Sequence, residues 1–245
     1  MQKEDVARLF TTPVDSPAYA PTRYRFTNRE YLNIYYRTDP EVLRRLVPEP
    51  LTVTDPIVRF EIMRMPDTTG LGDYTEAGQL IAVEHEGEKG EFNLAMYVDS
   101  VPAISSGREY SAYPKKSGSP TLYVDSDTLV GTLDYGTLRV ATATMGYKHH
   151  AMDPAEARAQ VCAPNFMIKT VPDYDGGLRV CDLVRTQISD VTVKSAYTAP
   201  ARLELFAHAM APLADLPVLE VVGAGHLVTD LTLSPVEPVF DYLAA

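Results

Sequence analysis

The chain has 245 residues, 45% of them hydrophobic, with a formal net charge of −11 and a pI near 4.9. That length supports one sizeable core, and all-β folds of this size are commonly single domains, so one domain over 1–245 is expected. The acidity argues against nucleic acid or anionic membrane as partners, which both need basic patches, and no apolar run approaches the roughly eighteen residues of a membrane span.

The opening Met1-Gln2-Lys3-Glu4-Asp5 leads into no long apolar segment with a small-residue cleavage site. Two cysteines, Cys162 and Cys181, are too few for a disulfide framework or a metal site, and they read as reduced thiols of a soluble cytoplasmic protein. Pro13, Pro17 and Pro21 mark an extended N-terminal arm. Asp39 then caps a helix beginning at Pro40, with Val42, Leu43, Leu46 and Val47 at helical spacing and Pro48 as its stop. Val58-Arg59-Phe60-Glu61-Ile62 alternates as a strand, which puts Glu61 on the face opposite Val58, Phe60 and Ile62.

Strands are expected at 79–85 and 92–99, joined by the polar stretch Glu86-Gly87-Glu88-Lys89-Gly90. Others follow at 121–125, 128–133 and 137–145, the last two joined by the turn Asp134-Tyr135-Gly136. Asp153-Pro154-Ala155-Glu156 carries a capping-box pattern and opens a helix to about Val161. Strands at 166–171, 178–184, 188–197 and 201–206 come next, with Asp175-Gly176-Gly177 a tight turn, and a last strand spans 226–233. Many short strands with few helices predict a mainly β fold. An antiparallel closed or cone-like β-barrel is expected, because closure removes exposed edges and leaves an interior for one small ligand.

Chemistry concentrates around Tyr113-Pro114-Lys115-Lys116. Taken alone, the lysine pair reads as an exposed turn, Arg29 as a surface charge, Glu61 as the solvent-facing residue of its strand and Glu76 as a loop acid. His149 and His150 lack a well-spaced third ligand, so no metal site is expected. His85, His208 and His226 are isolated and read as structural.

Five segments together resemble the acetoacetate decarboxylase family. They are Phe26-Thr27-Asn28-Arg29-Glu30-Tyr31; Val58-Arg59-Phe60-Glu61-Ile62-Met63; Thr69-Gly70-Leu71-Gly72-Asp73-Tyr74-Thr75-Glu76; Gly107 through Lys116; and Val124 through Gly136. The resemblance implies a cone-like barrel subunit in a large homo-oligomer, a dodecamer, that converts acetoacetate to acetone and carbon dioxide without a cofactor. It places the Schiff-base amine at Lys115 with Lys116 beside it, and charged pocket residues at Arg29, Glu61 and Glu76. Phe26, Met96 and Tyr113, in or beside these segments, are candidate pocket lining. Relatives that use the same lysine for aldol condensation or dehydration of an oxo acid rank second. A non-catalytic barrel binding a small apolar ligand ranks third.

The chemistry explains why such residues are needed. A β-keto acid loses carbon dioxide readily once its ketone has become a protonated imine, which accepts the released electron pair as an enamine. The attacking amine must be neutral, whereas an ordinary lysine, with a pKa of about 10.4, is almost wholly protonated at pH 7. This family is itself the standing example of a lysine activated by burial or by a cationic neighbour. A second ammonium about 6 Å away contributes roughly 2.8 kcal/mol at an effective dielectric of about 20, less than the task requires, whereas burial can do more. Burial of Lys115 is therefore expected to lead and Lys116 to assist. Arg29 would orient the substrate carboxylate, Glu76 would place a negative charge beside it or shuttle protons, and Glu61 would hold Arg29 in position.

Overall fold

The computed structural model describes residues 1–244. A first helical turn, α1 (Lys3–Val6), precedes the arm and is followed by β1 (Arg25–Arg37), α2 (Pro40–Leu46), β2 (Thr52–Thr68), β3 (Gly72–His85) and β4 (Glu88–Val98). Next come α3 (Val101–Glu109), β5 (Lys115–Ser117), β6 (Ser119–Asp125), β7 (Thr128–Tyr135), β8 (Leu138–Gly146), β9 (His150–Ala151) and α4 (Pro154–Val161). The chain closes with β10 (Asn165–Pro172), β11 (Leu178–Thr186), β12 (Ile188–Thr198), β13 (Ala201–Leu205), β14 (Glu220–Leu233) and β15 (Glu237–Asp241).

The mainly β class holds, but the barrel does not. The large sheet of 11 strands runs β15-β11-β10-β4-β3-β2-β1-β14-β12-β9, with β5 pairing β4 off that path. It ends in two edges, β15 and β9, that do not pair with each other, and a separate sheet runs β13-β8-β7-β6. The edges are kept safe by brevity rather than by closure: β9 has 2 residues, and β15 has 5 and contains Pro238. Neighbours along the large sheet are antiparallel except at β10/β4 and β4/β5. No described helix is long and apolar enough to cross a membrane.

The central strands are buried on both faces. On β1 and β2, Leu32, Ile34, Tyr36, Val58, Phe60 and Ile62 point into one core, shared with Leu129, Leu133 and Ala143 of the smaller sheet. The other face carries Tyr31, Met63 and Met65 into a second cluster, which Ala103 of α3 and Ala157 and Val161 of α4 help to cover. Period-two alternation is thus present on β2, yet the face carrying Glu61 meets protein, and residues 58–63 are all buried.

Candidate active site

A β-bulge prepares the site. On β1 the pairing with β14 slips between Phe26 and Arg29, where Asn28 takes a φ of 57°. The extra residue shifts the alternation, so Phe26, Arg29 and Tyr31 line the same pocket instead of opposite faces. β2 presents Arg59 and Glu61 two residues apart on that face, and β3 presents Tyr74 and Glu76 in the same way. A slip between Gln79 and Leu80, against Ala95 and Asn93 of β4, performs the same adjustment for Asn93 and Met96. β5 then lays Lys115 beside Met96 and Lys116 beside Tyr97.

The pocket encloses a dense set of charges. Lys115 is 6% exposed, Glu76 and Glu61 3%, Arg29 8% and Arg59 6%. Lys115 Nζ lies 2.9 Å from Glu76 Oε2, as a charge contact whose angle falls outside hydrogen-bond geometry. The same nitrogen is 5.4 Å from the ring centre of Tyr74 and 5.5 Å from that of Tyr113. Arg29 is 3.6 Å from Glu76, and its guanidinium carbon sits 5.0 Å from the Phe26 ring and 4.9 Å from the Tyr31 ring. One Arg29 nitrogen, Nη2, donates to the Met63 thioether, and Nε has no hydrogen-bond partner among the described residues. A thioether is a weak acceptor, so the fork retains donor capacity for an incoming anion.

Burial pushes the Glu61 carboxyl above the usual carboxylate range, against the pull of Arg59 and Arg29, and the nearby Glu76 adds to the rise. Burial, with Glu76 next, holds the Tyr74 phenol well above its ordinary value. The Tyr113 phenol is raised by burial too, against Arg29. Both tyrosines therefore remain neutral donors. The space open to the centre of a water-sized sphere is ≈ 50 Å³, several times the ~10–15 Å³ one water needs, which suits a substrate of few heavy atoms.

Arg29, Glu61, Glu76, Lys115, Phe26, Met96 and Tyr113 all line this one pocket. Lys116 lies elsewhere. On an extended strand its side chain leaves from the opposite face, where Nζ donates to the Met210 carbonyl at 2.5 Å and stands 5.1 Å from the Tyr135 ring. Glu61 meets Arg59 at 3.4 Å, and it is Glu76 that contacts Arg29. Sequence reasoning passed over Arg59, whose place two residues before Glu61 on one strand was the available signal. It also passed over Tyr74, Asn93, Ser106 and Gly107. A Cβ at Gly107 would stand 2.6 Å from Lys115 Cδ, so this glycine makes room for the lysine stem.

A family model described as Acetoacetate decarboxylase (ADC) matches residues 9–243. The chain belongs to the acetoacetate decarboxylase family. An acetoacetate decarboxylase from Streptomyces nogalater is 65% identical over 244 residues, spanning 100% of both chains. One from Clostridium botulinum is 59% identical over 244 residues, 99% of each. A solved structure from structural studies of acetoacetate decarboxylase superposes with a TM-score of 0.98 at 58% identity, covering 100% of both chains. The pocket just described joins a lysine, two arginines and two carboxylates from β1, β2, β3 and β5.

Proposed function

We propose that this chain decarboxylates acetoacetate to acetone and carbon dioxide through a Schiff base on Lys115. The observation that carries the assignment is the 2.9 Å contact between Lys115 Nζ and Glu76 Oε2 inside a small enclosed pocket. Glu76 is placed to accept the ammonium proton, which frees the amine's electron pair to attack the ketone carbon. Loss of water gives a protonated imine. The bond to the carboxylate carbon then breaks, its electron pair moves into the imine to form an enamine, and carbon dioxide departs. A proton added to the enamine carbon restores the imine. Water hydrolyses it, releasing acetone and the free amine.

The remaining roles follow from position. Arg29 receives the substrate carboxylate on its unused donors, packed between the Phe26 and Tyr31 rings. Partial desolvation there favours neutral carbon dioxide over the bound carboxylate. Glu61, with its carboxyl raised by burial, supplies the proton for the enamine carbon. Lys116, on the far face of β5, supports the strand from its contact with the Met210 carbonyl. The same reading includes a homo-oligomer, a dodecamer by family resemblance, and the exposed Tyr123, Val124 and Leu138 of the smaller sheet offer apolar surface for assembly.

The test is carbon dioxide release from acetoacetate by the parent and by Lys115→Met. Release by the parent and none above background by the variant is expected; a variant that keeps parental turnover removes Lys115 from the mechanism.

A further inference from the structure

Behind Glu61 lies a second carboxylate that no step above uses. One guanidinium nitrogen, Arg59 Nη2, stands 2.6 Å from Glu91 Oε2 and 3.4 Å from Glu61 Oε2. The shorter contact is a hydrogen bond to Glu91, so this nitrogen is engaged by Glu91 rather than by Glu61, although Arg59 also lines the pocket. Glu91 lies on β4, and its side chain, 16% exposed, also borders an open surface hollow lined by Tyr35, Lys89 and Gln160. Two carboxylates thus share one cation, an arrangement that leaves one negative charge uncompensated when both are ionised.

We propose that Glu91 is a positioning residue that acts through Arg59 to set the pH at which Glu61 gives up its proton. The inference rests on the reading of Glu61 as the proton donor to the enamine carbon. Every charged or titratable group facing Glu61 belongs to the same nest. β1 contributes Arg29, Tyr31 and Tyr35, and β2 contributes Arg59. Glu76 faces it from β3, Glu91 from β4, and Tyr113 from the segment before β5, while Lys115 shares the pocket. Among these, Glu91 is the carboxylate that competes with Glu61 for the Arg59 fork. Burial raises the Glu91 carboxyl as it does that of Glu61, against the pull of Arg59, and Glu61 adds a smaller rise.

The sign is definite. Glu91→Gln removes a like charge and releases Arg59 to Glu61. Both changes favour ionised Glu61, so its proton is lost at lower pH. Because the protonated form is the active one, the alkaline limb of kcat moves down by about one pH unit, an about tenfold loss of kcat on the alkaline side with little change on the acid side. Glu91→Asp, which keeps the charge, leaves the limb within a few tenths of a unit of the parent.

The experiment is the pH profile of kcat for the parent, Glu91→Gln, Glu91→Asp and Glu61→Gln. An alkaline limb that is lowered in Glu91→Gln, restored in Glu91→Asp and lost in Glu61→Gln supports the inference. If Glu61→Gln keeps the parental limb, the reading of Glu61 as donor falls. If Glu61→Gln loses the limb but Glu91→Gln leaves it in place, that reading stands and the role of Glu91 falls. Infrared titration of the parent and of Glu61→Gln gives an answer should Glu91→Gln fail to fold. Coupling through Arg59 is reciprocal, so in Glu61→Gln the carboxyl band that shifts on Glu91→Asp must lose its proton at lower pH than in the parent; an unchanged titration of that band overturns the proposal.

Discussion

At the scale of the residue, the reactive amine has very little room. A Cβ on Gly107 would lie 2.6 Å from Lys115 Cδ and 2.9 Å from Cε, both inside hard contact. Gly107 sits within α3, where alanine is intrinsically preferred by about 1 kcal/mol. Gly107→Ala is therefore expected to melt within a few degrees of the parent while losing about 100-fold in kcat, because the amine is pushed off its line of attack. A parallel melt and turnover assay checks both halves. Glu61 yields the same pairing of kept stability and lost turnover, for an electrostatic reason. Its folded carboxyl is raised above the unfolded value of about 4.3, so its contribution to stability is full below that value and is lost as pH climbs through the raised one. Glu61→Gln mimics the protonated form and leaves Arg59 paired with Glu91. Near pH ~8 this variant should melt no lower than the parent yet turn over more slowly, and a clearly lower melting temperature would contradict the burial argument. Arg29, Glu61 and Glu76 were legible only through their surrounding segments. Alternation on a strand separates two faces but does not say which one meets water, so each residue alone read as a surface charge.

Among the elements, two are decisive and neither was visible beforehand. β1 runs through Tyr31-Leu32-Asn33-Ile34-Tyr35-Tyr36, apolar or aromatic on both faces but for Asn33, and so shows no clear alternation to detect. α3 is short and weakly amphipathic, and its signals were limited to the Ser100 cap and Pro102 in the first turn. By contrast, α2 and α4 carry Asp39 and Asp153 caps followed by Pro40 and Pro154, and both appear where those caps placed them. α3 matters because it delivers Ser106 and Gly107 to the pocket, and its end is clamped by Lys169 of β10. Lys169 Nζ donates to the carbonyls of Arg108 at 2.9 Å, Glu109 at 2.5 Å and Ser111 at 2.6 Å. A cation on the carbonyl end of a helix is favoured by the aligned peptide dipoles. Lys169→Met leaves those carbonyls without their donor. A melting temperature lower by roughly 3–10 °C is expected, with turnover reduced as the Lys115 segment loosens. An unchanged melt would mean the clamp contributes nothing.

For the whole molecule, most strand positions were readable, whereas β1, β5, β9 and β15 were not, and neither was the absence of closure. Turn residues such as Asp134-Tyr135-Gly136 and Gly176 mark where strands end, and Gly136 and Gly176 take positive φ there. Whether the last strand pairs with the first depends on contacts distant in sequence, which local patterning does not encode. The chain covers an open sheet with a second sheet on one face and helices on the other, and the pocket forms under the helical side. The consequence for function is a largely enclosed pocket whose electron sink is a lysine from the protein itself. Borohydride reduction of the intact protein during incubation with acetoacetate, followed by intact mass and peptide mapping, addresses that directly. One reduced adduct per chain, on the peptide containing Lys115 and dependent on acetoacetate, is expected; steady turnover with no trapped adduct, or an adduct confined to other lysines, would contradict it.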